Sequence, residues 1–121
     1  MARILIIDDD PVYGDMTTQR LERAGHKVKL HIGPFGASAL AVHDSPDLVI
    51  LDVFMPGLSG PELLGIMRKN AGRPDLPVLL FSSMDPGPLS RLATEHGAVG
   101  WVTKSASRDE FLTAVQKALL P

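Results

Sequence analysis

The sequence has no cysteine, no long apolar run and no strong excess of charge of either sign. Without cysteine, a disulfide framework, a zinc–thiolate site and a thiol nucleophile are all excluded. No apolar run approaches the roughly 18 residues of a membrane span. The apolar run at the N-terminus is also too short for a signal peptide. The 12 basic and 14 acidic residues give a net charge of -2, which argues against nucleic-acid binding. We therefore expect a soluble cytoplasmic protein.

The sequence suits one globular domain that covers residues 1–121. Its length is typical of a single domain, for which about 100–150 residues is usual. Hydrophobic residues make up 45% and charged residues 21%, a balance found in folded rather than disordered chains. No internal repeat, linker or low-complexity stretch divides the chain.

Five short apolar runs predict five strands. They cover residues 4–7, 28–32, 48–51, 78–81 and 99–102. Four of the runs are nearly continuous and several are rich in β-branched residues, as is typical of strands buried on both faces. The second run alternates apolar residues with lysine and histidine, which predicts an edge strand.

The segments between the runs predict five helices. They cover residues 11–24, 34–43, 59–71, 88–96 and 107–119. Ser59 and Ser107 each stand three residues before a glutamate, the pattern of a capping box, and the prolines after Met84 are expected to shorten the fourth helix. In the first helix, one arc holds Tyr13, Met16, Leu21 and Ala24 and predicts its buried face. The alternation predicts a doubly wound α/β fold with a five-stranded parallel sheet and helices on both faces.

Polar side chains end four of the five runs. They are Asp8, Asp9 and Asp10 after the first run, Asp52 at the end of the third, Ser82 after the fourth and Lys104 after the fifth. The carboxyl ends of parallel strands meet at one edge of a sheet, where sites in such folds lie. We therefore expect these groups to converge.

The converging groups can be interpreted in two ways. Asp10 could simply cap the helix that Pro11 opens, and a serine or lysine after a strand often begins a turn or faces solvent. Asp52 favours a functional interpretation, because an unpaired carboxylate at the end of a buried strand is costly. Clustered carboxylates need a cation, and oxygen ligands suit Mg²⁺. With Lys104 and Ser82, the set predicts a phosphoryl site with a carboxylate nucleophile.

In these residues the chain resembles the response-regulator receiver domains of bacterial two-component signalling. Four segments carry the resemblance, in family order and at family spacing: residues 4–11, 47–60, 76–83 and 97–104. Together they span essentially the whole chain. The resemblance implies a flavodoxin-like sheet of strand order 2-1-3-4-5, and a signalling domain rather than a dedicated enzyme.

The resemblance also implies which residues carry the chemistry. Asp52 would accept a phosphoryl group from a histidine kinase or a phosphotransfer protein. Asp9, Asp52 and the main-chain carbonyl of Phe54 would bind Mg²⁺ directly, and Asp8 would act through a water molecule.

A second group of residues would respond to the phosphoryl group. By resemblance, Ser82 and Lys104 would contact its oxygens. Trp101 would turn inward on activation and change the face made by the fourth helix, fifth strand and fifth helix. A downstream output protein or domain would bind that face, and a homodimer could form through it. Trp101 could instead be a packing or interface aromatic.

Two positions depart from the usual family pattern. Ser105 follows the lysine where the family typically has a proline joined by a cis bond. A cis bond before a non-proline residue costs about 2.5–4 kcal/mol, so we expect a trans Lys104–Ser105 bond and a shifted loop. Phe54 stands two residues after Asp52 and is expected to overhang the site, hinder water and slow dephosphorylation.

Other functions fit the sequence less well. A receiver-like interaction module that works without phosphorylation is the main alternative, and Ser105 is the only sequence feature that favours it. A metal-dependent aspartyl phosphatase typically has a second acid where Phe54 stands. A flavin-binding module and a nucleotide-binding P-loop are disfavoured because their phosphate-binding loops are missing. The sequence identifies neither the kinase nor the output.

Overall fold

The computed structural model describes residues 1–120, which form five strands and five helices in strict alternation. The strands are β1 (Arg3–Asp8), β2 (Lys27–Ile32), β3 (Leu48–Asp52), β4 (Val78–Ser82) and β5 (Gly100–Thr103). The helices are α1 (Pro11–Arg23), α2 (Ala37–Asp44), α3 (Gly60–Asn70), α4 (Pro86–Glu95) and α5 (Arg108–Leu119). All strand pairs are parallel, and their order is β2-β1-β3-β4-β5, so the predicted fold class and strand order are confirmed.

The sheet separates two apolar layers. One face of its strands packs against α2, α3 and α4, and the other face packs against α1 and α5. β1, β3 and β4 are buried almost throughout, as their continuous apolar runs predict. β2 pairs only with β1 among the described strands, which confirms the predicted edge strand, and its exposure alternates from Lys27 to Leu30. Within residues 1–120, no helix combines the length and the apolar character that a bilayer crossing requires.

Local hydrogen bonds determine where three of the helices begin. Ser59 and Ser107 each accept a bond from a glutamate main-chain N–H, and each glutamate carboxylate accepts one from the serine N–H, so both capping boxes are confirmed. Asp10 accepts a bond from the Val12 N–H at 2.9 Å, and Pro11 follows it as the first helical residue. Asp10 is therefore a helix cap. These three helices follow β1, β3 and β5 in the chain.

Three helical predictions were wrong in detail. α2 begins at Ala37 rather than at residue 34, because Gly36 before it has a φ of 88°, outside the helical region. α4 begins at Pro86, two residues before the predicted start, because a proline in the first turn removes no intrahelical hydrogen bond. In α1, Leu21 is buried as predicted, but Ala24 is exposed and Gly14 is buried instead. A Cβ at Gly14 would lie 2.9 Å from the Leu30 side chain. α1 thus lies close to Leu30 of β2 at a residue that has no side chain.

Glycine also determines how closely α3 approaches the end of β3. The Gly60 N–H donates a bond of 2.9 Å to the Val53 carbonyl. A Cβ at Gly60 would overlap the main-chain carbonyl oxygen of Asp52 and lie 3.0 Å from the Val53 Cα. These neighbours are backbone atoms, which move only if the strand end moves. Gly60 therefore holds the segment after Asp52 against the first turn of α3.

We predict that Gly60→Ala destabilises the protein by about 2–4 kcal/mol, because the new methyl group overlaps backbone. Gly65→Ala is the matched control: it lies in the same helix, is exposed and has no atom within 4 Å of its added Cβ. Alanine there should stabilise the helix by about 0.5–1 kcal/mol. Urea unfolding of both variants tests the prediction, and equal stabilities would contradict it.

Candidate functional site

The carboxyl edge of the sheet carries a compact group of buried polar side chains. Asp8, Asp52 and Ser82 are the last residues of β1, β3 and β4, and their exposed fractions are 1%, 4% and 0%. Lys104 directly follows β5, and its main-chain N–H donates a bond of 2.8 Å to the Ser82 carbonyl. The parallel register of the strands thus brings these four residues to one edge.

Three carboxylates meet at this edge. Asp8, Asp9 and Asp52 each offer an oxygen atom within 4.8 Å of the others. Asp9 is half-buried, whereas Asp8 and Asp52 are shielded from water. Asp10 is engaged as the cap of α1 and belongs to the helix rather than to the cluster.

The Lys104 ammonium group compensates part of this negative charge. Its Nζ lies 3.0 Å from Asp8 Oδ2 and 3.4 Å from Asp52 Oδ2, and it donates a hydrogen bond of 3.2 Å to Asp8 Oδ1. The Lys104 side chain is only 10% exposed. The Lys104–Ser105 peptide bond is trans, as predicted. Ser105 therefore does not prevent the lysine from reaching both buried carboxylates.

The cluster shifts the pKa of its members. Burial is the largest cause that raises the pKa of Asp52, to about 8; the charge of Asp8 and hydrogen bonds to Asp8 and Asp9 add to the increase, and Lys104 opposes it. Burial lowers the pKa of Lys104, but its hydrogen bonds and the charges of Asp8 and Asp52 outweigh burial and raise it overall. Lys104 thus stays charged, and one ammonium group does not fully compensate the acids.

The donor set fits a hard divalent cation. Asp8 Oδ2 is buried and accepts no hydrogen bond from residues 1–120, although the Lys104 ammonium lies at ion-pair distance. Carboxylate oxygens are the ligands that Mg²⁺ prefers. The cluster could therefore hold such a cation beside Asp52.

Phe54 lies beside the acidic cluster. Phe54 is 59% exposed, while its neighbours Val53 and Met55 are buried. Phe54 and Asp9 line the same shallow depression, together with Pro56. A molecule that approaches the acids through this depression would contact the ring.

Ser82 and Trp101 occupy defined positions on β4 and β5. The Ser82 hydroxyl oxygen accepts a bond of 3.2 Å from the Met84 N–H, so it supports the turn after β4. Among residues 1–120 the hydroxyl donates no hydrogen bond, so its own proton remains available. Trp101 is half-buried, pairs with Leu80 of β4 and packs against the layer that contains α2, α3 and α4.

Two aromatic residues beside Lys104 were missed by sequence reasoning. The Lys104 Nζ lies 4.7 Å from the ring centroid of Tyr13 and 5.6 Å from that of Phe81. Both residues follow the apolar pattern of their elements, so the sequence marks them only as core residues. No sequence signal separates an aromatic that packs in the core from one that also faces an ammonium group.

We predict that Asp52→Asn stabilises the protein by about 1–3 kcal/mol at neutral pH in the presence of a chelator. The folded protein holds the Asp52 proton to a higher pH than the unfolded chain does. The stability that protonated Asp52 contributes is therefore present at low pH, and it is lost as the pH rises through the pKa of Asp52 in the folded protein. The variant should lack that decline. Urea unfolding from pH 5 to 9 tests this.

Asp15→Asn is the control for that experiment, because Asp15 is an exposed acid of α1. Its stability should stay within about 0.5 kcal/mol of wild type at every pH. An Asp52→Asn variant that is no more stable than Asp15→Asn at pH 8 would contradict the prediction.

Comparison with known proteins places this arrangement in a family. The response regulator receiver domain family matches residues 4–116. Protein PilH of Pseudomonas aeruginosa is 34% identical over 120 residues, which cover 98% of this chain and 98% of PilH. The DNA-binding dual master transcriptional regulator RpaA of Synechocystis is 34% identical over 119 residues, which cover 98% of this chain and 49% of RpaA. This chain thus spans about half the length of RpaA, and it spans a quarter to a half of several other curated relatives.

The fold comparison agrees. The chemotaxis protein CheY4 of Vibrio cholerae superposes with a TM-score of 0.90 at 27% identity, covering 98% of this chain and 99% of that chain. The family match, the shared fold and the acidic edge with its lysine lead to one conclusion: this chain belongs to the response regulator receiver domain family of two-component systems, whose members are signalling domains rather than dedicated enzymes.

Proposed function

We propose that this receiver domain is a phosphoacceptor and that Asp52 accepts the phosphoryl group. The donor is a phosphohistidine of a histidine kinase or a phosphotransfer protein. An Asp52 carboxylate oxygen forms the new bond to phosphorus as the phosphorus–nitrogen bond breaks, and the electron pair of that bond stays on the imidazole nitrogen. The observation that carries the proposal is the Lys104 ammonium 3.4 Å from Asp52 Oδ2 at the buried carboxyl edge. A phosphoryl group on Asp52 would form within reach of a fixed positive charge.

Mg²⁺ is the proposed cofactor. Asp9, Asp52 and the main-chain carbonyl of Phe54 would bind it directly, and Asp8 would act through a water molecule. When bound, Mg²⁺ supplies positive charge that favours the ionised form of Asp52 and neutralises the phosphoryl oxygens. The support is the acidic cluster, in which Asp8, Asp9 and Asp52 lie within 4.8 Å of one another.

Ser82 and Lys104 are the proposed contacts to the phosphoryl oxygens. Ser82 is fully buried and its oxygen accepts a bond from the Met84 N–H, while the hydroxyl donates no hydrogen bond within residues 1–120, so its proton is available. The main chains of Lys104 and Ser82 are joined by a hydrogen bond of 2.8 Å. Movement of the serine toward a phosphoryl group would therefore also displace the main chain at the start of the loop after β5.

The proposed output is a change in the face formed by α4, β5 and α5. Phosphorylation adds about 1 to 2 negative charges at the carboxyl edge, and Trp101 of β5 would turn further inward. Trp101 is half-buried and already packs against the apolar layer that includes α4, the layer toward which its ring would turn. A downstream output protein or domain would bind this face in the cytoplasm, and a homodimer could form through it.

We predict that acetyl phosphate with Mg²⁺ adds the mass of one phosphoryl group to the intact protein. Asp52→Asn should abolish the addition, because it removes the nucleophilic oxygen, and a chelator should do the same. Lys104→Ala should slow it at least about tenfold, because the positive charge beside Asp52 is lost. Mass spectrometry of the intact protein measures all four samples. If the wild-type mass stays unchanged, the result supports the alternative function, an interaction module that works without phosphorylation.

We also predict that Phe54→Asn shortens the lifetime of phosphorylated Asp52 by about three- to tenfold, because the smaller polar side chain admits water to the site. Phe54→Leu is the matched control, since it keeps apolar bulk at the same exposed position, and its lifetime should stay within about twofold of wild type. The decay of the phosphorylated mass after removal of acetyl phosphate gives the lifetime. An unchanged lifetime in Phe54→Asn would refute shielding by the ring.

A further inference from the structure

We propose that Tyr13 is a positioning residue that holds the Lys104 ammonium group over the phosphoacceptor through the face of its aromatic ring. This inference rests on the proposed function, because it assigns Tyr13 a part in the contact between Lys104 and the phosphoryl group.

The contact between the ammonium and the ring is direct. The Lys104 Nζ lies 4.7 Å from the Tyr13 ring centroid, within the range in which a cation is attracted by the negative face of an aromatic ring. The Phe81 ring lies farther away, at 5.6 Å. Carboxylate oxygens of Asp8 and Asp52 lie 3.0 and 3.4 Å from the same Nζ. Ring faces and carboxylates together surround an ammonium group whose side chain is only 10% exposed. Attraction of this kind strengthens as water is excluded.

The Tyr13 ring is itself held in place. Tyr13 lies in the first turn of α1, which Asp10 caps. Its ring meets Phe81 edge to face, with centroids 6.2 Å apart and an interplanar angle of 78°. Phe81 in turn packs on Phe111 of α5 at 5.4 Å. A row of three aromatic rings therefore connects the site with the core between α1, β4 and α5, so that Tyr13 presents a fixed surface.

A fixed surface matters because the lysine side chain is not rigid. Lys104 carries its charge on a flexible four-carbon stem. Its main chain is held by the bond to Ser82, and its ammonium group is held by the carboxylates of Asp8 and Asp52. Phosphorylation would change the oxygens that face the ammonium group on the Asp52 side. The attraction to Tyr13 would not change, so the ammonium group would remain in position to meet the phosphoryl oxygens as they form.

The test compares Tyr13→Phe, which keeps the ring face, with Tyr13→Leu and Tyr13→Met, which keep apolar volume without a ring. The rate of acetyl phosphate-dependent phosphorylation and the affinity for beryllofluoride are measured with Mg²⁺ for each variant of the 121-residue chain. Both quantities should stay within about twofold of wild type in Tyr13→Phe and fall by about three- to tenfold in the other two. Mg²⁺ affinity without a phosphoryl mimic should be unchanged in all three variants, because within residues 1–120 the Tyr13 side chain makes no hydrogen bond to a carboxylate that would bind the ion.

A spectroscopic measurement tests the contact without any activity. The ε-methylene protons of Lys104 should show an upfield ring-current shift in proton NMR in wild type and Tyr13→Phe, and this shift should be much reduced in Tyr13→Leu and Tyr13→Met. Equal phosphorylation rates in wild type and Tyr13→Leu, or an equal loss in Tyr13→Phe, would overturn the inference. A wild-type protein that gains no phosphoryl mass would instead refute the proposed function, and the NMR comparison would still decide whether Tyr13 positions Lys104.

Discussion

Two buried carboxylates at the ends of neighbouring strands are held by one ammonium group, and the rest of the structure is arranged around this contact. Asp8 ends β1 and Asp52 ends β3, and β1 and β3 pair side by side. Lys104 reaches both from beyond β5, which is separated from β3 by β4. Burial of charged groups is costly unless they are paired with good geometry. The register of the strands is therefore as important to this edge as the identity of its residues.

At the same edge, the fold places Asp52 where its burial lowers the stability of the protein. Asp52 is kept away from water and close to Asp8, so its ionised form is disfavoured in the isolated domain. A buried carboxylate close to a second acid is stabilised most by a bound cation or by a change in its own charge. Gly60 adds a geometric condition, because the first turn of α3 lies against the Asp52 carbonyl and leaves no room for a side chain. The start of α3 is thus packed directly against the main chain of Asp52.

Much of the architecture follows from local signals. Ser59, Ser107 and Asp10 define helix starts through hydrogen bonds that span two or three residues, so a single chain segment contains the whole signal. The strands likewise follow from apolar runs, and β2 from its alternation. The start of α4 and the buried face of α1 were predicted less well. Pro86 is compatible with a loop or a first helical turn, and Gly14 is buried because α1 lies close to Leu30, which no helical periodicity encodes.

The chain order of residues was enough to bring Asp8, Asp52, Ser82 and Lys104 to one edge in principle, because the carboxyl ends of parallel strands must meet there. The chain order does not give the distances between these side chains. Lys104 and Asp8 are 96 positions apart and become partners only when every strand between them is in register. The placement of Tyr13 beneath that ammonium group was likewise decided by the packing of α1 against β4, because an aromatic residue on a helix has the same sequence signature whether it faces a methyl group or a charge. Residue types therefore determined the chemistry available, and only the packed sheet decided which charges touch and how far they are shielded from water.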